Sequence, residues 1–170
     1  MIENIKSWSY LPKVNEIIES QKFYELVKKF DRELDPEFYI PKYSLINHAK
    51  VDFVKYVIEK EWTGKEVKYL GWIDFGYVRN SSQIPSDYQF KYQQLKNDRV
   101  NMIYNMEFVP EDENVTYVME NHEVTITGPF WFGTKNKILS YWDLYHERLN
   151  YIFSLGLVDD DQTIMVKIKF

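Results

Sequence analysis

The carboxylate Asp74 stands where a cation could be bound. It directly follows the short apolar and aromatic segment 67–73, which is typical of a buried strand. A strand that ends in a carboxylate is a common way for an open α/β sheet to build a ligand site. One carboxylate together with the oxygens of a diphosphate suits Mg²⁺ or Mn²⁺. Asp74 is therefore a candidate metal ligand, and the alternative is that it caps the following turn.

A second group of carboxylates is the run Asp159, Asp160 and Asp161, followed by Gln162. Three adjacent carboxylates repel one another, which raises at least one pKa unless a cation or several donors compensate. Asp160 and Asp161 are candidate catalytic carboxylates, and the Gln162 amide adds a donor for sugar hydroxyls. The alternative is a solvated loop that caps a helix.

A third candidate is the segment 128–134, which reads GPFWFGT. Gly128 and Pro129 are expected to close the strand before it, and 130–133 predicts a compact aromatic loop. Trp131 and Phe132 could stack on a pyranose ring, because the apolar face of a sugar packs well on an aromatic ring. A hydrophobic plug beneath a loop is an equally good interpretation of the same residues.

Other familiar kinds of site have no support in the sequence. His48, His122 and His146 lack the spacing of a zinc site, and His146 is expected on the surface of a helix. The absence of cysteine excludes disulfides and thiolate chemistry. Glycine-rich phosphate loops are also absent.

The elements that must position these residues are helices interspersed with strands, so the predicted class is α/β with a single domain over 1–170. Residues 1–62 are expected to be mainly helical, with Ser44 as the N-cap of the second helix. The sheet and the site motifs occupy 67–170, and a long helix covers 134–155, ending before Gly156. The predicted strands are 67–73, 100–108, 115–119 and 123–127, and a short helix is predicted over 86–95. The tail 163–170 fits either a strand or a helix.

Composition narrows the class of protein. The chain has 170 residues, a formal charge of −5 and 45% hydrophobic residues, values ordinary for one globular domain. The mild acidity argues against a nucleic-acid partner, which needs a basic face. With neither a signal peptide nor an apolar run of ~20 residues, we expect a cytoplasmic protein, and peripheral association with a membrane remains compatible.

Read together, the motifs resemble the bacterial HtrL/YibB family, which includes WlaTC-type glycosyltransferases. The resemblance runs from about Ile40 to Met165, and WIDFG followed by an arginine is its most specific part. The motifs that carry it are PKYSL at 41–45, HAK at 48–50, WIDFGYVR at 72–79, PFWFGT at 129–134 and DDDQ at 159–162.

The resemblance implies a GT-A-like, Rossmann-related mixed sheet flanked by helices, and a nucleotide sugar as the donor. Asp74 matches the carboxylate that holds the divalent metal (Mn²⁺ or Mg²⁺) on the donor diphosphate. Gly76 stands where the usual motif has a second acid. Lys50 and Arg79 would be partners of the diphosphate or of a carboxylate, and Arg79 suits bidentate anion binding.

The other motifs acquire roles from the same resemblance. Asp160, Asp161 and Gln162 would face the transferred sugar, and Asp161 could be the catalytic carboxylate. The aromatic segment resembles an acceptor-side loop, and its matching residues are Trp131, Phe132, Gly133 and Thr134. The expected reaction transfers a sugar to a glycan acceptor, and we expect that glycan to be destined for the cell surface.

Relatives of this type open with a strand–helix–strand unit that binds the nucleoside. The residues before Asp74 are predicted to be helical instead, so we expect a chain truncated at both ends that lacks this unit. A partner chain would then supply the missing half, because exposed sheet edges tend to pair.

Two alternatives to an active transferase stay open. One is a non-catalytic carbohydrate-binding or interaction module derived from such an enzyme. The other is a metal-dependent phosphohydrolase that uses Asp74 and the acidic run 159–161 on two metals ~4 Å apart. A separation of Asp74 and Asp161 beyond ~10 Å would remove the two-metal version.

Overall fold

The computed structural model describes residues 5–75, 96–104, 107, 109–121 and 126–166. The predicted helix over 86–95 and the candidate residue Arg79 lie outside these residues. So do Gly76 and His122.

The first part of the described chain is helical, as the sequence predicts. A 3₁₀ helix at Lys6–Tyr10 is followed by α1 (Leu11–Ile18), α2 (Gln21–Lys29), α3 (Pro36–Tyr39) and α4 (Pro41–Glu59). Prolines start α3 and α4, where the missing N–H breaks no helical hydrogen bond. The prediction that Ser44 caps the second helix is wrong: α4 begins three residues earlier, and Ser44 is buried within it.

A three-stranded antiparallel sheet is formed within the described residues. Its strands are β1 (Tyr69–Ile73), β2 (Asn101–Tyr104) and β3 (Ile126–Thr134), and their order is β1-β3-β2. Gly71 of β1 lies opposite Phe132 of β3. A Cβ atom at Gly71 would lie 2.2 Å from the backbone oxygen of Trp131, so only glycine fits there. Helices and a small sheet together bear out a mixed α/β class.

Two local predictions are wrong. The segment 115–119 is not a strand but the start of α5 (Val115–Asn121), because its buried residues Val115, Val118 and Met119 follow helical spacing. The segment 130–133 is not a loop but part of β3, because its backbone groups pair with β1 on one side and β2 on the other. The strand therefore does not close at Gly128 and Pro129 but runs on to Thr134.

Two further helices complete the described chain. The predicted long helix is confirmed as α6 (Lys135–Ser154), and Gly156 follows with a left-handed φ of +74°. The tail, which fits two patterns, forms the short helix α7 (Asp161–Val166). The hydrophobic core is a cluster to which α1, α2, α4, α6, α7 and the sheet all contribute.

A buried carboxylate, Asp52 of α4, ties the N-terminal segment and α6 together. Its Oδ2 accepts hydrogen bonds from the backbone N (2.8 Å) and Oγ (2.6 Å) of Ser7. Its Oδ1 accepts from Trp142 Nε1 at 2.6 Å and from His146 Nε2 at 2.8 Å. His146 is fully buried, so its predicted surface position is wrong. Burial raises the pKa of Asp52, but the bonds from His146 and Ser7 outweigh it and lower the pKa overall.

Replacement of Asp52 by asparagine should strongly destabilise the protein. An amide turns one acceptor oxygen into a donor that faces other donors, and it removes the charge opposite His146. We expect the free energy of unfolding in urea to fall by about 3 kcal/mol at neutral pH. Asp143→Asn, at an exposed position of α6, is the matched control. A loss below about 1 kcal/mol would show that the bonds to Asp52 are not structural.

Candidate functional site

Three candidate residues from distant parts of the chain meet in space. Lys50 lies in the middle of α4, Asp74 directly follows β1, and Asp161 is the first residue of α7. The Nζ atom of Lys50 is 3.2 Å from Asp74 Oδ2 and 3.0 Å from Asp161 Oδ2. We refer to these three residues as the carboxylate–lysine centre.

The sheet fixes the position of Asp74. Its backbone N donates to the carbonyl oxygen of Pro129 at 2.8 Å, which continues the pairing of β1 with β3 by one residue. Its side chain accepts from two donors, Trp72 Nε1 at Oδ1 and Lys50 Nζ at Oδ2. About a third of the Asp74 side chain is exposed, so the centre is open to solvent on this side.

The start of α7 fixes the position of Asp161. Asp160 caps this helix, because its Oδ1 accepts from the backbone N of Gln162 at 2.9 Å and of Thr163 at 3.4 Å. Asp159 holds Asp160 in turn, since its Oδ1 accepts from the backbone N of Asp160 at 2.9 Å. The helix cap considered for the acidic run is thus present, and it delivers Asp161 to Lys50.

Glycine at position 128 lets β3 approach the start of α7. A Cβ atom there would lie 2.9 Å from Cγ of Gln162 and 3.1 Å from both carboxylate oxygens of Asp161. Gly128 is therefore part of the wall of the site, and Gln162 lies beside Asp161 as the sequence suggested.

The charges of the carboxylate–lysine centre stabilise one another in a largely buried setting. Burial lowers the pKa of Lys50, but the charges of Asp161 and Asp74 outweigh it and raise the pKa overall. Burial raises the pKa of Asp161, and the ammonium of Lys50 opposes that rise. Lys50 is consequently charged at neutral pH, and the two carboxylates compete for it.

The other acids of the run face inward as well. Burial, followed by the charges of Asp159 and Asp161, raises the pKa of Asp160 well above its usual range. Burial raises the pKa of Asp159 to about 6, even though its Oδ2 accepts from Thr163 Oγ at 2.8 Å. The backbone oxygen of Asp159 accepts from Ser44 Oγ at 3.2 Å, which joins the run to α4.

The aromatic candidates are not arranged as a surface platform. The ring of Trp131 is fully buried and packs on Tyr141, with 5.7 Å between ring centroids. Phe132 points to the other face of the sheet, where it is half-buried against Tyr69. Gly133 and Thr134 pair with β1. These four residues are therefore part of the packed sheet.

The donor set of the centre suits a divalent cation that is shared with a ligand. Asp161 Oδ2 is buried and makes no aligned hydrogen bond with any residue that the structure describes, although Lys50 lies within ion-pair distance. The nearest oxygens of Asp74 and Asp161 are within about 6 Å of each other, because both contact the same Nζ atom. No cluster of three or more metal-ligating side chains occurs among the described residues. Two carboxylates plus phosphate oxygens are the usual set for Mg²⁺.

Sequence reasoning missed the role of Trp72. The WIDFG motif by itself indicates no function for this tryptophan, yet its indole N–H donates a hydrogen bond to Asp74. A signal was available, because residues two apart on a strand point to the same face. Gly128 was missed for a different reason: its contacts come from a helix more than 30 residues away.

Comparison with known proteins gives one match, and it spans nearly the whole chain. A family model described as "Bacterial protein of unknown function (HtrL_YibB)" matches residues 2–170. The chain belongs to this family. The match extends beyond the range 40–165 that the motifs had indicated, and it takes in all the helices before β1. The chain matches no curated protein and no solved structure.

Within the part of the chain that is described, every helix is too short or too polar to cross a bilayer.

The raised pKa of Asp159 predicts a pH-dependent stability. The folded protein keeps this proton up to about pH 6, whereas the unfolded chain releases it near 3.8. The folded state therefore binds more protons in this window, and the free energy of unfolding falls as the pH rises through it. Asp159→Asn should reduce the fall between pH 4 and pH 7 by about 2 kcal/mol, measured by urea denaturation.

The control for this pH series is again Asp143→Asn, whose carboxylate is exposed. Curves for wild type and Asp159→Asn that run parallel across the window would contradict a buried, protonated Asp159.

Proposed function

We propose that the protein is a nucleotide-sugar-dependent glycosyltransferase of the GT-A type. The donor diphosphate would bind at the carboxylate–lysine centre, and a glycan would accept the sugar. The observation that supports this proposal is the meeting of Lys50, Asp74 and Asp161 at one point, although 24 and 111 positions separate Lys50 from its two partners in the sequence. These are three of the residues that the resemblance to the transferases singles out.

Each residue of the centre has a physical role in binding such a donor. The ammonium of Lys50 can donate hydrogen bonds to a diphosphate oxygen as well as to the carboxylates, since it has three donor hydrogens. Asp74 would hold a divalent cation together with that diphosphate, which leaves Asp161 to face the transferred sugar and its acceptor. When bound, the cation would neutralise charge on the leaving diphosphate as a Lewis acid.

Asp161 is also suited to proton transfer. Its carboxylate is buried, and its pKa is raised by that burial, which brings it closer to the working pH of a general base. A hydroxyl group of the acceptor that reaches Asp161 could give up its proton there. Gln162 would stand beside this position and offer an amide to the sugar.

The alternative of a carbohydrate-binding module is supported less well. Such a module would use exposed aromatic rings, and Trp131, the largest ring of the segment, is fully buried. For the phosphohydrolase alternative, Asp74 and Asp161 lie close enough together to share two metals. The Lys50 ammonium, however, lies between these two carboxylates, and this position argues against a two-metal site.

The proposal predicts a metal-dependent response to the donor product. Saturating UDP or GDP with Mn²⁺ should raise the melting temperature by about 5 °C, because the ligand binds only the folded state. Nucleotide without the cation should raise the melting temperature by a smaller amount. Asp74→Ala should abolish the cation-dependent part, and Asp143→Ala, at an exposed site on α6, should retain it.

The outcomes separate the candidate functions. No stabilisation by either nucleotide, with or without Mn²⁺, would contradict a donor site. Stabilisation by a glycan alone, unaffected by Asp74→Ala, would favour the binding module.

A further inference from the structure

Trp72 connects the carboxylate–lysine centre to the rigid part of the fold. Its indole Nε1 donates a hydrogen bond to Asp74 Oδ1. Its ring stacks on Phe53 of α4, with the centroids 5.9 Å apart and the planes 20° from parallel. In the sheet, Trp72 lies opposite the buried Trp131. The backbone of Trp72 is therefore fixed by β3 and its ring by α4, so that its N–H has a fixed direction.

The two oxygens of Asp74 have different partners. Oδ1 accepts from the neutral indole of Trp72, and Oδ2 accepts from the charged Lys50 at 3.2 Å. An indole N–H can only donate and keeps its proton at every accessible pH. The ammonium of Lys50, in contrast, can change its partner, because Asp161 and any bound anion compete with Asp74 for it. Of the two bonds that the Asp74 side chain accepts from described residues, the one from Trp72 is independent of what Lys50 contacts.

We infer that Trp72 is the positioning residue of Asp74. Its N–H fixes Oδ1, so that Oδ2 keeps its direction when Lys50 turns from Asp74 to an incoming anion. The inference deepens the proposed function and rests on it in one respect, namely that the ligand is a diphosphate with its divalent cation. The hold of Trp72 on Asp74 exists in the protein without any ligand.

The first arm of the test examines this hold in the free protein. The chain has five tryptophans, so a ¹⁵N-labelled sample should give five indole N–H signals, and Trp72→Phe identifies the relevant one. A hydrogen bond to a carboxylate shifts such a signal, so Asp74→Ala should move the Trp72 signal and leave the others nearly unchanged. An unmoved Trp72 signal would overturn the inference whatever the protein binds.

The second arm measures binding with Mn²⁺ alone and with Mn²⁺ plus UDP, by calorimetry and by paramagnetic broadening of the indole signals. Trp72→Phe keeps a ring against Phe53 but removes the donor, and it should weaken Mn²⁺ binding about tenfold. Trp62→Phe is the matched control, because that tryptophan is 65% exposed. A melting temperature near that of wild type shows that the Trp72→Phe variant is folded.

The results distinguish failure of the inference from failure of the proposed function. Equal Mn²⁺ affinity in wild type and Trp72→Phe would overturn the positioning role. Mn²⁺ binding that depends on Trp72, without any effect of UDP, would sustain the positioning role and contradict the donor site. Absence of Mn²⁺ binding in the wild type, both without and with UDP, would contradict the donor site, and the indole signals of the first arm would then decide the hold of Trp72 on Asp74.

Discussion

A single ammonium group, that of Lys50, holds the candidate site together. It lies 3.0 Å from Asp161 and 3.2 Å from Asp74, and without it two carboxylates would face each other in a largely buried space. Charges removed from water are costly unless they are paired closely. The ends of β1 and α7 can therefore approach each other only because α4 delivers a positive charge between them.

The rest of the fold serves this arrangement. β3 lies in the middle of the sheet and carries Gly128, whose missing side chain leaves room for Asp161. The acidic run before α7 is used mainly to cap and orient that helix, with Asp160 as the cap and Asp159 as its support. A second buried carboxylate, Asp52, lies two residues after Lys50 on α4 and ties this helix to α6 through His146. One helix thus carries both the structural and the candidate functional polar network.

Local patterns predicted much of this structure. The apolar stripe and terminal glycine of α6 and the strand before Asp74 are local signals, and both elements form. Lys50, Asp74 and Asp161 were recognised through a resemblance, and their meeting is a tertiary contact that no local pattern contains. The glycines and the proline around 130–133 favour a loop there, whereas pairing on both sides makes this segment part of the central strand. His146 was placed at the surface because its partner, Asp52, lies 94 positions away in sequence.

The central claim is that Lys50 and Asp161 stabilise each other, and a double-mutant cycle tests it most directly. Lys50→Met, Asp161→Asn and the double variant would be compared with wild type by urea denaturation at pH 8. The account predicts a coupling free energy of about 3 kcal/mol, with Lys50→Met alone the more harmful change because it leaves a buried carboxylate unpaired. Additive effects, with a coupling below about 0.5 kcal/mol, would contradict the account.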